Sequence, residues 1–347
     1  MRIGLVSTVS APVGAEAWGS VEAWTWLLAR ELTNLGHDIT TFGCAGSESS
    51  GQVVVTVPGP YGAPGSFDDW QLCEWVNLSR ALEAAAQCDV LHCQAYLWGM
   101  PLQHLTRTPL VHTLHVVPDD NAVQLWRAYP GSCVTALSRQ QWKDWPELKP
   151  AAIIPHGVDV AQFTFQATPE DYLLYLGRFT SAKGPLQAIQ TARTLGIKLI
   201  LAGPENPYFR ERVKPLVDGH TVIYAGFVRG AVRNRLLGGA RALLYPIQYA
   251  EAFGLVLVEA MLCGTPIAAL GLGAVPEILE EGVSGFMTTH TQDLAGLVSR
   301  CFQLDRARIR AQAERRFSAR RMAEDYLCVY SALAGPHPHQ FAQRSDE

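Results

Sequence analysis

The sequence predicts an α/β protein of two doubly wound, parallel-sheet domains of Rossmann-like design, facing each other across a cleft. The chain has 347 residues, enough for two domains of about 100–200 residues each. Short apolar runs alternate with longer amphipathic runs, which is typical of parallel sheets covered by helices. Between two such series, residues 153–163 include Pro155 and Gly157 and are typical of a connector.

In the first half, six short apolar runs are predicted to be strands. Between the first two lies an amphipathic run, residues 21–36, with apolar residues at helical spacing and a closing glycine. A strand–helix–strand unit of this kind indicates a parallel sheet. The predicted strands are residues 3–6, 38–42, 53–57, 90–92, 110–114 and 133–136.

The second half repeats the pattern, and its last periodic segment is not followed by a strand. We expect one domain at residues 1–160 and a second at residues 161–317, with a helix at about 318–335 packing back onto the first. The polar tail, residues 335–347, is expected to be mobile. The predicted strands are residues 172–178, 198–203, 221–226, 242–246 and 266–270, the predicted helices are residues 185–196 and 254–264, and the last helical segment spans residues 315–335.

Composition excludes several classes of protein. A formal net charge of −4 argues against a broad nucleic-acid-binding surface, which needs clustered basic residues. No apolar run approaches the roughly 20 residues of a membrane helix, so membrane insertion is not expected, and the first apolar run is predicted to be a buried strand rather than a signal peptide. The eight scattered cysteines are interpreted as free thiols in the cytoplasm. Without a Gly-x-Gly-x-x-Gly or P-loop motif, dinucleotide dehydrogenases and P-loop phosphotransferases are disfavoured.

Two glutamates eight residues apart, Glu251 and Glu259, flank the start of a predicted helix. If Glu251 precedes that helix, it points into the cleft, and Glu259 looks out from the second turn. The amides of Phe253, Gly254 and Leu255 then form an anion site at the helix N-terminus. Carboxylates accept hydrogen bonds from two hydroxyls, which suits ribose or sugar diols. Two solvated glutamates beside a core helix would show the same spacing, so the pattern alone leaves both interpretations open.

Arg178 and Lys183 lie in the loop GRFTSAKG, which follows a predicted strand. The guanidinium fork and the ammonium point charge suit a diphosphate. A surface Arg and Lys in a βα loop would look the same in isolation. The combination with Glu251 and Glu259 favours a site for a nucleoside diphosphate sugar.

These motifs, in this order, resemble the retaining glycosyltransferases of family GT4, which have the GT-B fold. The resemblance covers nearly the whole chain. It is carried by GSVE at 19–22, LARELTNLGHDIT at 28–40, DVLH at 89–92, HTLH at 112–115, IPHGVD at 154–159, GRFTSAKG at 177–184, EAFGLVLVEA at 251–260 and GLGAVPE at 271–277.

The resemblance implies roles for the matching donor-side residues. Arg178 and Lys183 would hold the diphosphate. Glu259 would bind the ribose hydroxyls and Glu251 the sugar hydroxyls. The loop at Gly19 would close over the phosphates. The resemblance also implies catalysis without a metal or other cofactor, with a UDP, GDP or TDP sugar as co-substrate.

On the acceptor side, the resemblance implies that His115 sits near the sugar and helps to place it. Two residues depart from the family pattern. Ser20 stands where a second glycine is common, and Gln94 stands where a second histidine often follows the strand that ends at His92. Acceptor contacts near His92 and Gln94 are therefore expected to be specific to this protein.

All nine tryptophans lie in the first half of the chain. Most are expected to pack in the core. Trp98 and Trp126 follow predicted strand ends and are predicted to line the cleft, where they could stack on an acceptor ring. His112 and His115 flank a period-two strand and should point to opposite faces, so a zinc site is not expected.

The predicted function is transfer of a sugar from a nucleoside diphosphate to a soluble small-molecule acceptor. An antibiotic-tailoring role of the avilamycin kind is one version. It is suggested by the compact length and by the excess of Arg and Ala over Lys, a compositional hint of a high-GC genome. The alternatives are a nucleotide-sugar epimerase or a glycogen-type synthase of the same fold, a transferase to a cell-envelope glycolipid, and a nucleotide-sugar-binding protein without catalysis.

Overall fold

The computed structural model describes residues 1–17 and 19–335, and Trp18 and residues 336–347 of the predicted tail lie outside the described residues. The chain divides into two compact units. Unit 1 contains Met1–Gly157 and the described residues from Ala319 onwards, and unit 2 contains Val158–Ser318. The chain therefore enters unit 2 after Gly157 and returns to unit 1 after Ser318.

Seven parallel strands form the sheet of unit 1. Six of them overlap the predicted strands, and the seventh has only two residues, too few for a sequence pattern. The strands are β1 (Arg2–Val6), β2 (Asp38–Cys44), β3 (Gln52–Val57), β4 (Val90–Cys93), β5 (Leu110–Thr113), β6 (Cys133–Ala136) and β7 (Ala152–Ile153). Their order across the sheet is β3-β2-β1-β4-β5-β6-β7.

Unit 2 has a six-stranded parallel sheet of the same design. The strands are β8 (Leu173–Leu176), β9 (Leu199–Ala202), β10 (Val222–Tyr224), β11 (Ala242–Tyr245), β12 (Ile267–Leu270) and β13 (Gly285–Thr288). Their order is β10-β9-β8-β11-β12-β13. Both units therefore have the doubly wound order of a Rossmann-like fold, which confirms the predicted fold class.

Helices connect the strands and cover the sheets. In unit 1 they are α1 (Ser20–Asn34), α2 (Trp70–Glu83) and α3 (Asp120–Ala128). In unit 2 they are α4 (Pro185–Leu195), α5 (Gly230–Gly239), α6 (Leu255–Leu262), α7 (Val275–Ile278), α8 (Leu294–Cys301) and α9 (Arg306–Phe317). A last helix, α10 (Ala319–Ala334), belongs to unit 1. Within the described ranges, no helix is long and apolar enough to cross a bilayer.

Helices α1 and α10 share one face of the unit 1 sheet. Trp24 and Leu28 of α1 pack with Tyr326 of α10 in one buried cluster, which also includes Ile3 of β1. Helix α2 covers the other face, where Leu78 contributes to a second cluster. Removal of this apolar area from water, at about 25 cal/mol per Å², is the main source of stability for the unit.

A buried arginine closes the end of α5 in unit 2. The Arg306 guanidinium donates to the carbonyl of Ala240 at 2.9 Å and to the Thr265 hydroxyl at 2.9 Å, and a further short bond reaches the Gly238 carbonyl. Carbonyls at a helix C-terminus have no partner within the helix and need one from outside. Arg306 supplies it and ties α9 to α5.

The strand order reverses beside the first strand of each unit. In unit 1, β1 lies between β2 and β4, and in unit 2, β8 lies between β9 and β11. The loops that leave the carboxyl ends of these neighbours run to opposite faces of the sheet and open a crevice between them, where doubly wound proteins bind ligands. The topology thus indicates the loops after β1 and β4, and after β8 and β11, as candidate ligand-binding loops.

The predicted helical segment 315–335 is two helices rather than one. Helix α9 ends at Phe317, Ser318 is extended with φ −69° and ψ 145°, and α10 begins at the next residue. Ser318 forms an isolated parallel bridge with Val158, and the Val158 amide donates to the Phe317 carbonyl at 2.9 Å. Helical periodicity continues through this point, but pairing with the connector interrupts the helix.

Candidate active site

The two loops at the reversal point of unit 2 are in backbone contact. Gly184 ends the loop after β8 and has φ +71°, and a Cβ on it would lie 2.0 Å from the Pro246 carbonyl oxygen in the loop after β11. The Gln248 amide also donates to the Ala182 carbonyl at 2.7 Å. Only glycine combines this approach with a left-handed backbone, so the two loops are held at a fixed separation.

This contact brings together two of the predicted site residues, Lys183 and Glu251. The Lys183 ammonium lies 2.5 Å from Glu251 Oε1, with side chains only 15% and 23% exposed. The ammonium also lies 5.2 Å from the centre of the Tyr249 ring, within cation–π range. The spacing of 68 residues in sequence gave no sign that the two groups form an ion pair.

Two tyrosines complete the surroundings of Glu251. The Tyr249 hydroxyl donates to Glu251 Oε1 at 3.1 Å, and the Tyr245 hydroxyl forms a short bond with Oε2. Burial and the Glu251 charge raise the pKa of Tyr245 well above its usual value, so this phenol stays protonated and donates. A carboxylate has about four acceptor positions, and with Lys183 included three are used, which leaves room for one further donor.

The loop after β12 anchors the Glu251 backbone from another side. The Ala274 amide donates to the Glu251 carbonyl at 2.9 Å. Gly273 has φ +56°, and a Cβ there would come within 2.3 Å of the Glu251 amide nitrogen. The motif GLGAVPE therefore packs closely against the backbone of Glu251.

Arg178 lies at the other end of the GRFTSAKG loop and is exposed. The Tyr175 hydroxyl donates to its carbonyl at 2.9 Å and holds the backbone. Its guanidinium forms no hydrogen bond or ion pair with another described residue. Arg178 thus remains available for an anion, whereas Lys183 is engaged with Glu251.

The segment after Glu251 starts α6 as predicted. Gly254 is the N-cap, with φ +119° and no side-chain cap, and Leu255 is the first helical residue. Both are half-buried, while the Phe253 side chain is buried against Phe317, with ring centres 5.9 Å apart. A helix start without a side-chain cap leaves amide donors suited to an anion.

The orientation predicted for Glu259 is wrong. Its side chain does not look out but is buried, and it forms a short ion pair with Arg233 of α5. Burial raises the Glu259 pKa and the Arg233 charge opposes that rise. Arg233 could not be predicted as this partner, because nothing in the sequence of its helix distinguishes it from the neighbouring arginines.

In unit 1, the structure joins two predicted residues, Gln94 and His115. His115 Nε2 lies 2.8 Å from Gln94 Oε1, and burial lowers the pKa of His115 to about 3, so the imidazole is neutral. With Nε2 donating to the amide oxygen, His115 Nδ1 is left as an acceptor. The buried Gln94 Nε2 has no hydrogen-bond partner among the described residues. His115 also stacks on His156, with ring centres 5.3 Å apart.

His92 is a core residue, and its prediction as an acceptor contact is wrong. The side chain is fully buried. Its Nδ1 forms a hydrogen bond of 2.6 Å with the Tyr330 hydroxyl and its Nε2 one of 2.7 Å with the Thr113 hydroxyl. Both ring nitrogens are therefore occupied inside unit 1.

The two predicted acceptor tryptophans behave differently. Trp126 is 3% exposed and packs edge-on against Trp142, with ring centres 4.6 Å apart. It lies in α3, and its prediction as an exposed ring that lines the cleft is wrong, because the strand end is followed by a helix whose apolar face carries it inwards. Trp98 is half-buried beside Trp70 and Trp75 at the surface of unit 1.

The loop after β1 is organised by Glu22, the last residue of the GSVE motif. Its buried Oε1 accepts from the Thr8 hydroxyl at 2.8 Å, from the Ser10 hydroxyl and amide at 2.6 and 3.0 Å, and from the Ala11 amide at 3.2 Å. A Cβ on Gly19 would lie 1.9 Å from Glu22 Oε2. Gly19 therefore makes room for the carboxylate that shapes this loop.

A second carboxylate, Glu74 of α2, holds the same loop. Its Oε1 accepts from the Val9 amide at 2.9 Å, while Oε2 is buried without a partner among the described residues. Burial raises the Glu74 pKa to about 7, and the Glu22 charge adds to the rise. This group changes protonation near neutral pH.

The described histidines are not part of a three-ligand metal cluster. Over residues 1–17 and 19–335, no group of three His, Cys, Asp or Glu side chains is arranged to hold an ion. His112 is buried, and its ring lies against Gly99, where a Cβ would come within 2.6 Å of it. Burial lowers its pKa to about 4.

Sequence comparison places the chain among known glycosyltransferases. The family model for "Glycosyltransferase Family 4" matches residues 21–162, and the model for "Glycosyl transferases group 1" matches residues 161–316. A D-inositol 3-phosphate glycosyltransferase of Mycolicibacterium smegmatis is 25% identical over 412 aligned positions, which cover 99% of this chain and 95% of that protein.

Two solved structures share the fold. AviGT4, described as a glycosyltransferase involved in avilamycin A biosynthesis, superposes with a TM-score of 0.73 at 24% identity and covers 96% of this chain and 98% of its own. HepE of Anabaena, solved in complex with UDP-glucose, superposes with a TM-score of 0.69 at 20% identity and covers 96% of this chain and 100% of its own.

Replacing Glu22 should loosen the loop after β1. In Glu22→Ala, the Ser10 and Ala11 amides lose a charged acceptor, and unit 1 should lose about 3 kcal/mol of stability. Hydrogen exchange followed by mass spectrometry should show faster exchange in residues 7–13. Glu48→Ala, an exposed glutamate of the same unit, is the matched control. Unchanged exchange in Glu22→Ala would remove the role assigned to this carboxylate.

Glu74 should make unit 1 less stable as pH rises. The pKa of Glu74 is about 7 in the folded state and 4.5 in the unfolded state. Its contribution to the free energy of unfolding is therefore fully present below pH 4.5. About 3 kcal/mol of that free energy is lost as the pH rises through 7. Glu74→Gln should remove this part of the pH dependence, whereas the exposed Glu83→Gln should not. Urea unfolding at pH 5 and 8, followed by tryptophan fluorescence, reports on unit 1, which contains every tryptophan. Equal pH dependence in wild type and Glu74→Gln would contradict this assignment.

Proposed function

We propose that this chain, which belongs to the family 4 glycosyltransferases of the GT-B fold, transfers a sugar from a nucleoside diphosphate to an acceptor hydroxyl with retention of anomeric configuration. The observation that carries the proposal is the Lys183–Glu251 pair beside the start of α6. In a nucleoside diphosphate sugar, the distal phosphate is bonded directly to the anomeric carbon. A phosphate-binding cation and a hydroxyl-binding carboxylate must then be neighbours, as these two are.

The donor roles follow from chemistry at these positions. Lys183 and Arg178 would neutralise the diphosphate, and the amides at Gly254 and Leu255 would add donors at the helix start. Glu251, with one acceptor position left, would accept from a sugar hydroxyl. Glu259 would bind the ribose hydroxyls, sharing its charge with Arg233. The complex of HepE with UDP-glucose is consistent with a UDP sugar as donor.

The reaction is proposed to occur on one face of the sugar. The bond between the anomeric carbon and the phosphate oxygen breaks, and a bond to the acceptor oxygen forms on the same side through an oxocarbenium-like transition state. The departing phosphate oxygen takes the acceptor proton, so the products are the glycoside and the nucleoside diphosphate. The protein contributes positioning and charge stabilisation by Lys183, Arg178 and the helix amides, and we propose that this suffices without a metal.

The acceptor is proposed to be a soluble small molecule, as in secondary-metabolite tailoring. Neutral His115, oriented by Gln94, would present Nδ1 to a sugar hydroxyl. We also propose a cytoplasmic location, supported by the eight free cysteine thiols. Cell fractionation tests the location, and a donor screen with UDP, GDP and TDP sugars, read by release of the nucleoside diphosphate and by transfer of label to acceptor, tests the activity. Isomerised donor without acceptor would indicate an epimerase instead.

Lys183→Ala should lower turnover by about 10²–10³-fold, because a charge that stabilises the leaving diphosphate is lost. Glu251 keeps both tyrosine hydroxyls and is partly exposed, so the unfolding midpoint should change little. Lys198→Ala removes an exposed lysine of the same unit and should have wild-type turnover. Near-normal nucleoside diphosphate release by Lys183→Ala would reject the donor-site assignment.

Glu251→Gln should separate phosphate binding from sugar transfer. The amide removes the ion pair and leaves Lys183 free for phosphate, so calorimetry should give an affinity for UDP equal to wild type or tighter. Transfer should fall by about 10²-fold because the sugar is no longer held by a charged acceptor. The exposed Glu205→Gln of the same unit is the control. Loss of UDP affinity in proportion to the loss of transfer would show that Glu251 acts on the phosphate instead.

A further inference from the structure

Three tryptophans form a cluster at the surface of unit 1, which we call the indole platform. Trp98 is the central ring. Its centre lies 5.3 Å from that of Trp70, with the planes tilted by 36°, and 5.8 Å from that of Trp75, with a tilt of 35°. Trp70 is 51% exposed and Trp75 41% exposed. Indoles bury large areas when they can, so two rings left half in water indicate a surface that binds something.

The platform lies at the ligand-binding edge of the sheet. Trp70 opens α2, which follows β3, and Trp98 lies in the loop after β4. Both are therefore at the carboxyl ends of parallel strands, and β4 borders the reversal point of unit 1. Doubly wound proteins bind ligands along this edge. Gln94, whose buried amide nitrogen has no partner among the described residues, belongs to the same loop as Trp98.

The backbone that carries Trp70 and Trp98 is fixed on both sides of the platform. Asp69 caps α2 by accepting from the Gln71 and Leu72 amides at 2.8 and 3.1 Å, which fixes the helix start at Trp70. In the Trp98 loop, Tyr96 has φ +51°, the one positive φ outside glycine in the described residues. Its hydroxyl donates to Asp119 at 3.2 Å. A strained residue held by its surroundings is typical of a functional loop. A loop that is already ordered loses little conformational entropy when it binds a ligand.

Charge narrows the choice of ligand. Residues 1–157 contain eight basic and fourteen acidic residues, a net charge of −6. Asp68 and Asp69 directly precede the first indole. Anionic lipid surfaces and anionic small molecules are attracted by basic clusters, whereas the charged residues next to Trp70 in the chain are two aspartates. A neutral ligand with a flat apolar face suits indoles flanked by carboxylates, because its hydroxyls can donate to them.

We propose that the indole platform binds a pyranose ring of a neutral carbohydrate acceptor, whose C–H face stacks on the indoles. This inference rests on the proposed function and names the acceptor class. Trp70 and Trp75 supply the exposed rings of this site, and Trp98 lies between them.

A direct binding test does not depend on turnover. Wild type, Trp70→Ala and Trp75→Ala are titrated with methyl pyranosides, maltose, cellobiose and lactose, with binding followed by changes in tryptophan fluorescence. Binding of at least one saccharide to wild type, weakened about tenfold or more in each variant, supports the proposal. No saccharide binding to wild type, or equal affinity in all three proteins, overturns it.

Leu72→Ala is the matched control, because Leu72 is on the same helix turn and is 50% exposed but has no ring. Its saccharide affinity should equal that of wild type. Flotation with phosphatidylcholine and phosphatidylglycerol vesicles, and sedimentation of the free protein, test a lipid surface and a second copy of the chain. The proposal would be overturned if the protein bound vesicles or self-associated and if Leu72→Ala and the tryptophan variants reduced this to the same extent. That result would show that the indole platform is only a general apolar surface.

UDP calorimetry keeps the two proposals distinct. If UDP binds to wild type and to Trp70→Ala with equal affinity while saccharide binding differs, the platform is an acceptor site separate from the donor site. If UDP fails to bind to wild type, the proposed function fails, whatever the saccharide titration shows. If UDP binds and no saccharide does, only the acceptor inference is lost.

Discussion

One backbone contact in unit 2 sets the position of the groups at its candidate site. Gly184 lies so close to the Pro246 carbonyl that no side chain fits between them. Because Lys183 directly precedes this glycine and Glu251 follows Pro246 by five residues, the contact determines the distance at which ammonium and carboxylate meet. Gly273 presses on the Glu251 backbone from another loop. Glycines thus serve here as spacers that bring strand-end loops to van der Waals contact.

In unit 1, buried carboxylates stabilise a loop, whereas accessible charged groups can contact a ligand. Glu22 and Glu74 hold the loop after β1. A carboxylate inside a protein needs donors or a cation, since burial without them is costly. Glu22 has four donors and Glu74 has one together with an unpartnered oxygen, which is why burial shifts the Glu74 pKa towards neutrality. Groups suited to a ligand, such as Arg178, remain accessible instead.

The sequence predicted every described strand except β7 and β13, because the apolar runs of the others are separated by glycine, proline or polar residues. It also placed Arg178, Lys183 and Glu251 at strand ends, where parallel topology collects side chains. It was wrong about Trp126 and His92, since position after or within a strand does not reveal which face a side chain takes or what packs over it. Arg233 was missed because a partner for a buried carboxylate is chosen by packing between helices.

By itself, the sequence determined two doubly wound sheets and the order of motifs that marks the glycosyltransferases of this family, because apolar periodicity and loop chemistry are local. Only the tertiary structure decided that Lys183 meets Glu251, that Gln94 sets the tautomer of His115, and that Trp70 and Trp75 flank Trp98. Each of these pairs is separated in the chain and joined by the strand order. Contacts between these side chains depend on how closely the backbones of different loops approach and on which side chains are buried. Neither can be inferred from the spacing of residues along one strand or helix.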